Sequence, residues 1–347
     1  MEKRFNDSFL YVTENWQQIV KKYQIPNTKI AILQMITSFL PFIAVWILMY
    51  FSLNISYWLT LGLGLLNAFF LVRIFIIQHD CGHQSFTQSR KVNDAIGFIC
   101  SAFSLIPYKY WAKAHNFHHG HCGQLEPDVR DIGDMPMFTV EEYRAMPRMQ
   151  RLAYRIFRMP LVLLSAGSVY YIFVHNRFAV IKQKGFEIAK KSLVWSNLFM
   201  AIVYVACIMI FGAGTFFKIH LPIVMFFSVM AFYAFFIQHQ HEQAHKKWRA
   251  EWSYVMAALQ GSTYWKLPRV FQWLTGNIGI HHIHHLSSLI PNYNLQKCQN
   301  ENPVLEQYVT VLTFTDSMKV FFNKLWDEQQ QRMITFAEYR KLYGSTW

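Results

Sequence analysis

The sequence predicts an all-α integral membrane protein: four transmembrane helices and a cytosolic helical cap that carries three histidine clusters. Composition is the first observation. Of 347 residues, 53% are hydrophobic and only 15% are charged, where soluble domains carry about 25% charged residues. Second, four apolar stretches approach or exceed the roughly 20 residues that a helix needs to cross a bilayer core. Third, the basic residues are sorted to one side of those stretches.

Residues 1–29 read as a cytosolic, amphipathic N-terminal segment without the apolar core of a secretory signal. Ser8 to Tyr23 is expected to be a surface helix, with Phe9, Val12, Trp16 and Val20 on one side and Pro26 closing it. Ile30–Leu53 is the first span, with a kink expected at Pro41. Tyr57–Gln78 is the second, and Arg73 near its end is expected to snorkel to the interface. Ala95–Pro107 is apolar but too short to cross and reads as re-entrant or interfacial; Met159–Val174 reads as interfacial. Leu193–Phe217 and Leu221–Ile237 are the third and fourth spans, joined by a short turn within Gly212–His220. No span follows residue 240, and the tail, with Trp326, Phe336 and Tyr339 among charges, reads as cytosolic amphipathic helix. The chain thus divides into 1–29, a membrane domain at 30–330, and a cytosolic tail at 331–347.

Four spans place both termini and the 79–192 loop on one side. Of the 33 Lys and Arg residues, 31 lie on that side; Arg73 is in a span and Lys218 is on the far side. The positive-inside rule makes the crowded side cytoplasmic. The net charge of +13 is spread over the loops without a compact run, which argues against nucleic acid and for anionic lipid and topology. Five widely spaced cysteines with no C-x-x-C exclude a disulfide framework and suit a reducing compartment.

The chemistry sits in the histidines. His281, His284 and His285 occupy positions i, i+3 and i+4, so a helix puts them on one face. His115, His118 and His119 repeat that spacing, and His79 and His83 lie one turn apart at the end of the second span. His239 follows the fourth span as a ninth candidate. All nine lie on one side, near span ends. One metal takes four to six ligands, so eight or nine imply two metals, and all-nitrogen donors leave iron, zinc, copper and nickel open. Asp80 is positioned to orient a ligand, and His282 is expected to point away from its neighbours. His121, His175 and His220 read as bystanders. His241-Glu242-x-x-His245 spells a zinc-protease signature, but that reading leaves both H-x-x-H-H clusters idle.

The three clusters, of the form H-x-x-x-H, H-x-x-H-H and H-x-x-H-H, resemble the histidine boxes of the integral-membrane fatty acid desaturases. Leu267–Leu286, Ile290-Pro-Asn-Tyr-Asn-Leu295, Asn176-Arg177-Phe178 and Gln238-His239 are similar to bacterial acyl-lipid desaturases of the delta-5 type. The resemblance covers residues 30 to 330. It implies a di-iron centre held by the boxes and His239. It also implies O2 as co-substrate, two electrons from a separate ferredoxin or flavodoxin, and a cis double bond placed in a membrane phospholipid acyl chain. His241 and His245 depart from the family pattern. Trp111, Phe117, Trp265, Leu267 and Trp273 are candidate liners of an acyl channel. A related di-iron hydroxylase or carotenoid ketolase would share the boxes and differ in product. A metal transporter would need polar groups within the spans, which hold only Arg73 near an end.

Overall fold

The computed structural model describes residues 7–344; the ends of the expected N- and C-terminal segments, 1–6 and 345–347, lie outside the described residues. Among the described residues, four helices are long and apolar enough to cross a membrane: Thr28–Ser52, Tyr57–Gly82, Glu187–Phe211 and Ala213–His239. The first starts at Asn27, whose side chain accepts from the backbone N–H groups of Lys29 (3.0 Å) and Ile30 (3.2 Å). It runs continuously through Pro41. Asn67 of the second span donates to the Phe42 carbonyl (3.1 Å), a polar tie between two apolar helices.

The third and fourth spans begin six to eight residues earlier than the apolar pattern suggests. The break between them is one residue, Gly212, at φ +77°. Lys218 and His220, read from sequence as part of a turn, instead lie inside the fourth helix, where His220 pairs with the Tyr204 hydroxyl (2.5 Å). Arg73 also departs from expectation. It is buried, stacked 3.8 Å over the Trp273 ring, and it donates to the Trp273 carbonyl and to Ser38 Oγ (3.3 Å). It joins the first span, the second span and the Arg269–Leu274 helix rather than reaching the interface.

The two short apolar segments do not cross. Arg90–Ser104 is an amphipathic helix ended by Leu105 at φ +58° and packed on the second span. Arg148–Phe157 and 160–177 form a pair bent by 63°. His115–His119 precede this pair and His239 follows it. Their convergence, described below, requires the chain to enter and leave it on the same side.

The cap is built from short helices and two small sheets. Phe138–Thr139 pairs parallel with Leu325–Asp327, which pairs antiparallel with Arg332–Ile334. Thr263–Trp265 pairs parallel with Thr310–Leu312. Trp326, expected on a helix, is therefore on a strand; Phe336–Tyr343 is helical as expected, and its Tyr339 is buried against Val140 and Tyr143. The N-terminal helix, Asp7–Lys21, buries Phe9, Val12 and Val20 under the cap with Leu259 and Tyr308. Its apolar stripe is covered by protein.

Candidate metal centre

Each cluster is delivered by the end of a helix. The second span runs four residues past its apolar stretch, to Gly82, which carries His79 into the last turn and leaves His83 at the C-cap. Tyr108–His121 carries His115, His118 and His119; the fourth span ends on His239; the short helix His281–Leu286 carries His281, His284 and His285. All nine are buried, and they meet.

Two groups form. His79, His83, His115, His119 and His284 each offer a nitrogen within 4.8 Å of the others. The second group holds His118, His239 and His285, with Cys122. His281 joins it through His239, their Nε2 atoms 3.0 Å apart. His239 Nε2 also lies 3.2 Å from His118 Nε2. In the first group, His115 Nε2 lies 3.0 Å from His79 Nε2 and 3.2 Å from His119 Nε2. One proton cannot serve three converging nitrogens. A metal about 2.0–2.1 Å from each would set neighbouring ligand nitrogens roughly 3.0–3.4 Å apart, and the observed spacings fit. Nε2 of His83, His284 and His285 is buried without a hydrogen-bond partner, a cost that a metal ion would remove.

Oxygens hold the opposite ring nitrogens of His79, His83 and His239, while Nδ1 of His119, His281 and His284 is buried without a hydrogen-bond partner. His79 Nδ1 donates to Asp80 Oδ1 (2.9 Å), and Asp80 Oδ2 accepts from Asn292 N (2.6 Å) and Nδ2 (2.8 Å). His83 Nδ1 donates to Asn116 Oδ1 (2.7 Å), and His239 Nδ1 faces the Gly261 carbonyl (3.3 Å). Asp134 lies 3.8 Å from His118 Nδ1. A proton fixed on Nδ1 leaves the Nε2 lone pair for a metal. Burial lowers the pKa of His83, His115, His118, His119, His281, His284 and His285, so the rings stay neutral, the form that binds metal. Cys122 Sγ approaches His239 Nδ1 (3.4 Å), not the Nε2 on which His118 and His281 converge. It sits behind that ring.

His282 stands apart from both groups. It is fully buried beside Tyr264 and Gln299, and burial pushes its pKa down to about 3. The 240–246 segment is not helical. Within it, His241 Nε2 bonds the Gln260 carbonyl (3.1 Å), and Glu242 is exposed and paired with Arg332 (3.0 Å). A zinc-protease site needs the two histidines on one helical face with the glutamate between them, and that geometry is absent there. His121 stacks on Phe117 (4.0 Å), while His175 lines the cavity described next.

An apolar cavity of about 900 Å³ reaches the centre at His79, His115 and His281. Trp111, Trp265 and Leu267 line it as expected; Phe117 packs instead with Phe186, and Trp273 with Arg73. Phe271 and Phe314 line it and are exposed, whereas Ile106, Tyr110 and Ile172 line it and are buried. The cavity is therefore open on one side and closed on another. Trp111 stacks on His115 with ring centroids 4.6 Å apart and 18° between planes.

Sequence reasoning did not single out Asn116, Cys122, Asp134 or Gly261. Asn116 was findable, because it sits inside the second cluster next to His115. Asn292 lies within the Ile290–Leu295 stretch that carries the resemblance, and its contact with Asp80 gives that stretch a physical role.

The fatty acid desaturase family model matches residues 56–315. The chain is 38% identical to the fatty acid desaturase of Bacillus subtilis (strain 168) over 312 residues, covering 90% of this chain and 87% of that one. It is 32% identical to the sn-1 oleoyl-lipid 12-desaturase of Synechocystis sp. over 241 residues, 69% of this chain and 65% of that one. An endoplasmic reticulum omega-3 fatty acid desaturase of Vigna radiata is 29% identical over 255 residues. Four spans, a histidine-rich centre at their ends and these likenesses lead to one conclusion: the chain is an enzyme, an oxidoreductase, and belongs to the fatty acid desaturase family.

Proposed function

We propose that the protein inserts a cis double bond into a saturated acyl chain of a membrane phospholipid, with O2 and two electrons, at a di-iron centre. The observation that carries this is the meeting of nine imidazoles in two groups beside an apolar cavity. In this reading His79, His83, His115, His119 and His284 hold one iron, and His118, His239, His281 and His285 hold the other. Iron at these positions supplies an O2-derived oxidant strong enough to take two hydrogens from adjacent methylenes, which side chains alone cannot do.

The chain's own residues do the rest. Asp80, Asn116 and the Gly261 carbonyl hold the imidazoles in register. The cavity excludes water and fixes the chain by shape, because a methylene run offers no polar handle. Its opening past Phe271 and Phe314 suits entry from the bilayer. The positive-inside count supports a centre at the cytoplasmic face, where a ferredoxin or flavodoxin can supply electrons. The lipid-linked substrate follows the Synechocystis relative, whose name specifies an oleoyl-lipid.

The test is expression in a bacterium with saturated lipids, with iron and a ferredoxin supplied, and gas chromatography of the fatty methyl esters. New monoenes are expected, located by fragmentation of their adducts. Unchanged lipids, or hydroxylated products, overturn the proposal.

A further inference from the structure

We propose that electrons enter the centre through Asn116, and that the cationic face around Asn116 docks an acidic one-electron carrier protein. The inference rests on the desaturase reading above, which needs two electrons per turnover.

The first observation is a route. The groups that hold Nδ1 of the imidazoles differ in exposure. Asp80 and the Gly261 peptide are buried and Asp134 is partly buried, but Asn116 is exposed. Its Oδ1 accepts from His83 Nδ1 (2.7 Å), and its Nδ2 donates to the Gly82 carbonyl (3.1 Å), so the amide is clamped in one orientation. One hydrogen bond and one imidazole ring therefore connect solvent to the five-histidine group. The side is also right. His79, His115 and His281 line the acyl cavity, whereas His83 does not. Electrons arriving at His83 do not compete with substrate for space.

The second observation is charge. Lys109 and Lys113 precede Asn116 by seven and three residues, so all three share a face of the Tyr108–His121 helix, and all are exposed. Gly120 continues the face, and a side chain added there would meet nothing within 4 Å. Lys109 pairs with Asp94, one turn from the exposed Arg90 and Lys91. Lys113 lies over the Phe186 ring (5.8 Å), which brings the exposed Lys182 and Lys184 alongside. Six cations thus face solvent, against two carboxylates, Asp94 and the exposed Glu187 beside Phe186. A carrier with acidic residues around its redox centre is steered to such a face and oriented on it.

The test uses the full-length protein in lipid nanodiscs, with a plant-type [2Fe–2S] ferredoxin as the probe. Reversing Lys109 and Lys113 to Glu together is expected to weaken ferredoxin binding and to lower carrier-driven kcat/KM about tenfold at low salt, converging with wild type at high salt. Lys218→Glu, on the far side of the membrane, serves as the control. Turnover driven by dithionite through a small mediator reports on the chemistry itself. If no reductant yields a monoene, the desaturase reading fails; if dithionite does and the lysine pair leaves ferredoxin kinetics and binding unchanged, this inference fails. A dependence of the lysine variants on anionic lipid alone makes the face a membrane contact and also overturns it. Asn116→Ala is expected to keep ferredoxin binding while slowing ferredoxin oxidation in stopped flow, with rates compared per bound iron because Asn116 also holds the His83 ring; an unchanged rate refutes the route. Should that variant shed iron, Asn116→Asp, which keeps an acceptor for His83, must weaken ferredoxin binding at low salt, and unchanged binding refutes the docking site.

Discussion

Asp80→Asn is the sharpest probe of the centre, because it changes protons and almost no volume. Asp80 is buried and uses both oxygens: Oδ1 accepts from His79 Nδ1, and Oδ2 accepts from Asn292 N and Nδ2. An amide has one acceptor end. If its oxygen faces Asn292, its NH2 faces His79 and forces that ring into the Nε2–H tautomer. The new proton then points at His115 Nε2, 3.0 Å away, and the lone pair meant for metal is lost. If the amide turns over, its NH2 meets two donors of Asn292, and the loop after the third histidine box loses its tie to the first. The first arrangement keeps more hydrogen bonds and should win. Loss of such an outer partner typically costs about 10- to 100-fold in metal affinity, or roughly 1.4–2.8 kcal/mol at 1.4 kcal/mol per decade. Thermal stability should fall less, by about 1 kcal/mol for weakened hydrogen bonds at Asn292. The assay is metal content by mass spectrometry after dialysis against graded chelator, alongside the melting curve. Two irons retained at wild-type chelator concentrations would refute the claim that Asp80 sets the tautomer of His79.

Four further substitutions separate roles that lie close together in sequence. His284→Ala should lose metal and desaturation, whereas His282→Ala, which removes a ring packed beside Tyr264 outside both groups, should lower the melting temperature yet keep two irons per chain; equal metal loss would contradict the division. Glu242→Gln removes an ion pair to Arg332 at a side chain 55% exposed, so stability should change by less than about 1 kcal/mol and monoene formation should persist, whereas a zinc protease would be inactive. His245 is held at a pKa of about 4, below its ordinary value, first by burial and then by Lys247 and Lys246. The unfolded chain takes up that proton below about pH 6.5 and the folded one resists it to about 4, so folding stability is lost on acidification through that window, by up to roughly 3 kcal/mol. His245→Gln should flatten the fall in melting temperature between pH 7 and 4, and an unchanged slope would show that His245 does not contribute to it.

The spans and the histidine clusters were legible for one reason: both are written in local periodicity. An apolar run of 20 residues and an i, i+3, i+4 histidine pattern need no partner to be read. What was not legible depends on contacts far apart in the chain. Arg73 reads as a snorkelling cation from its place near a span end, but Trp273 and Ser38 supply stacking and acceptors 200 and 35 residues away and make burial tolerable. The N-terminal helix reads as a surface helix because its stripe is apolar, and only the fold shows Leu259 and Tyr308 lying over it. His241-Glu242-x-x-His245 shows the reverse failure: the spacing is complete, but spacing has chemical meaning only on a helix, and the chain there is turn and coil. The same criterion separates the nine proposed ligands by how much local sequence says of each. Six of them lie on two H-x-x-H-H helices that place their rings together without further help. His79 and His83 lie one turn apart at the end of a span, where the spacing is common, and their membership depends on Asp80 and Asn116, which turn their Nε2 atoms inward. His239 has no histidine spacing around it, only the Gln238-His239 likeness. It belongs because the fourth span runs two residues beyond its apolar stretch and ends within 3.2 Å of His118 and 3.0 Å of His281.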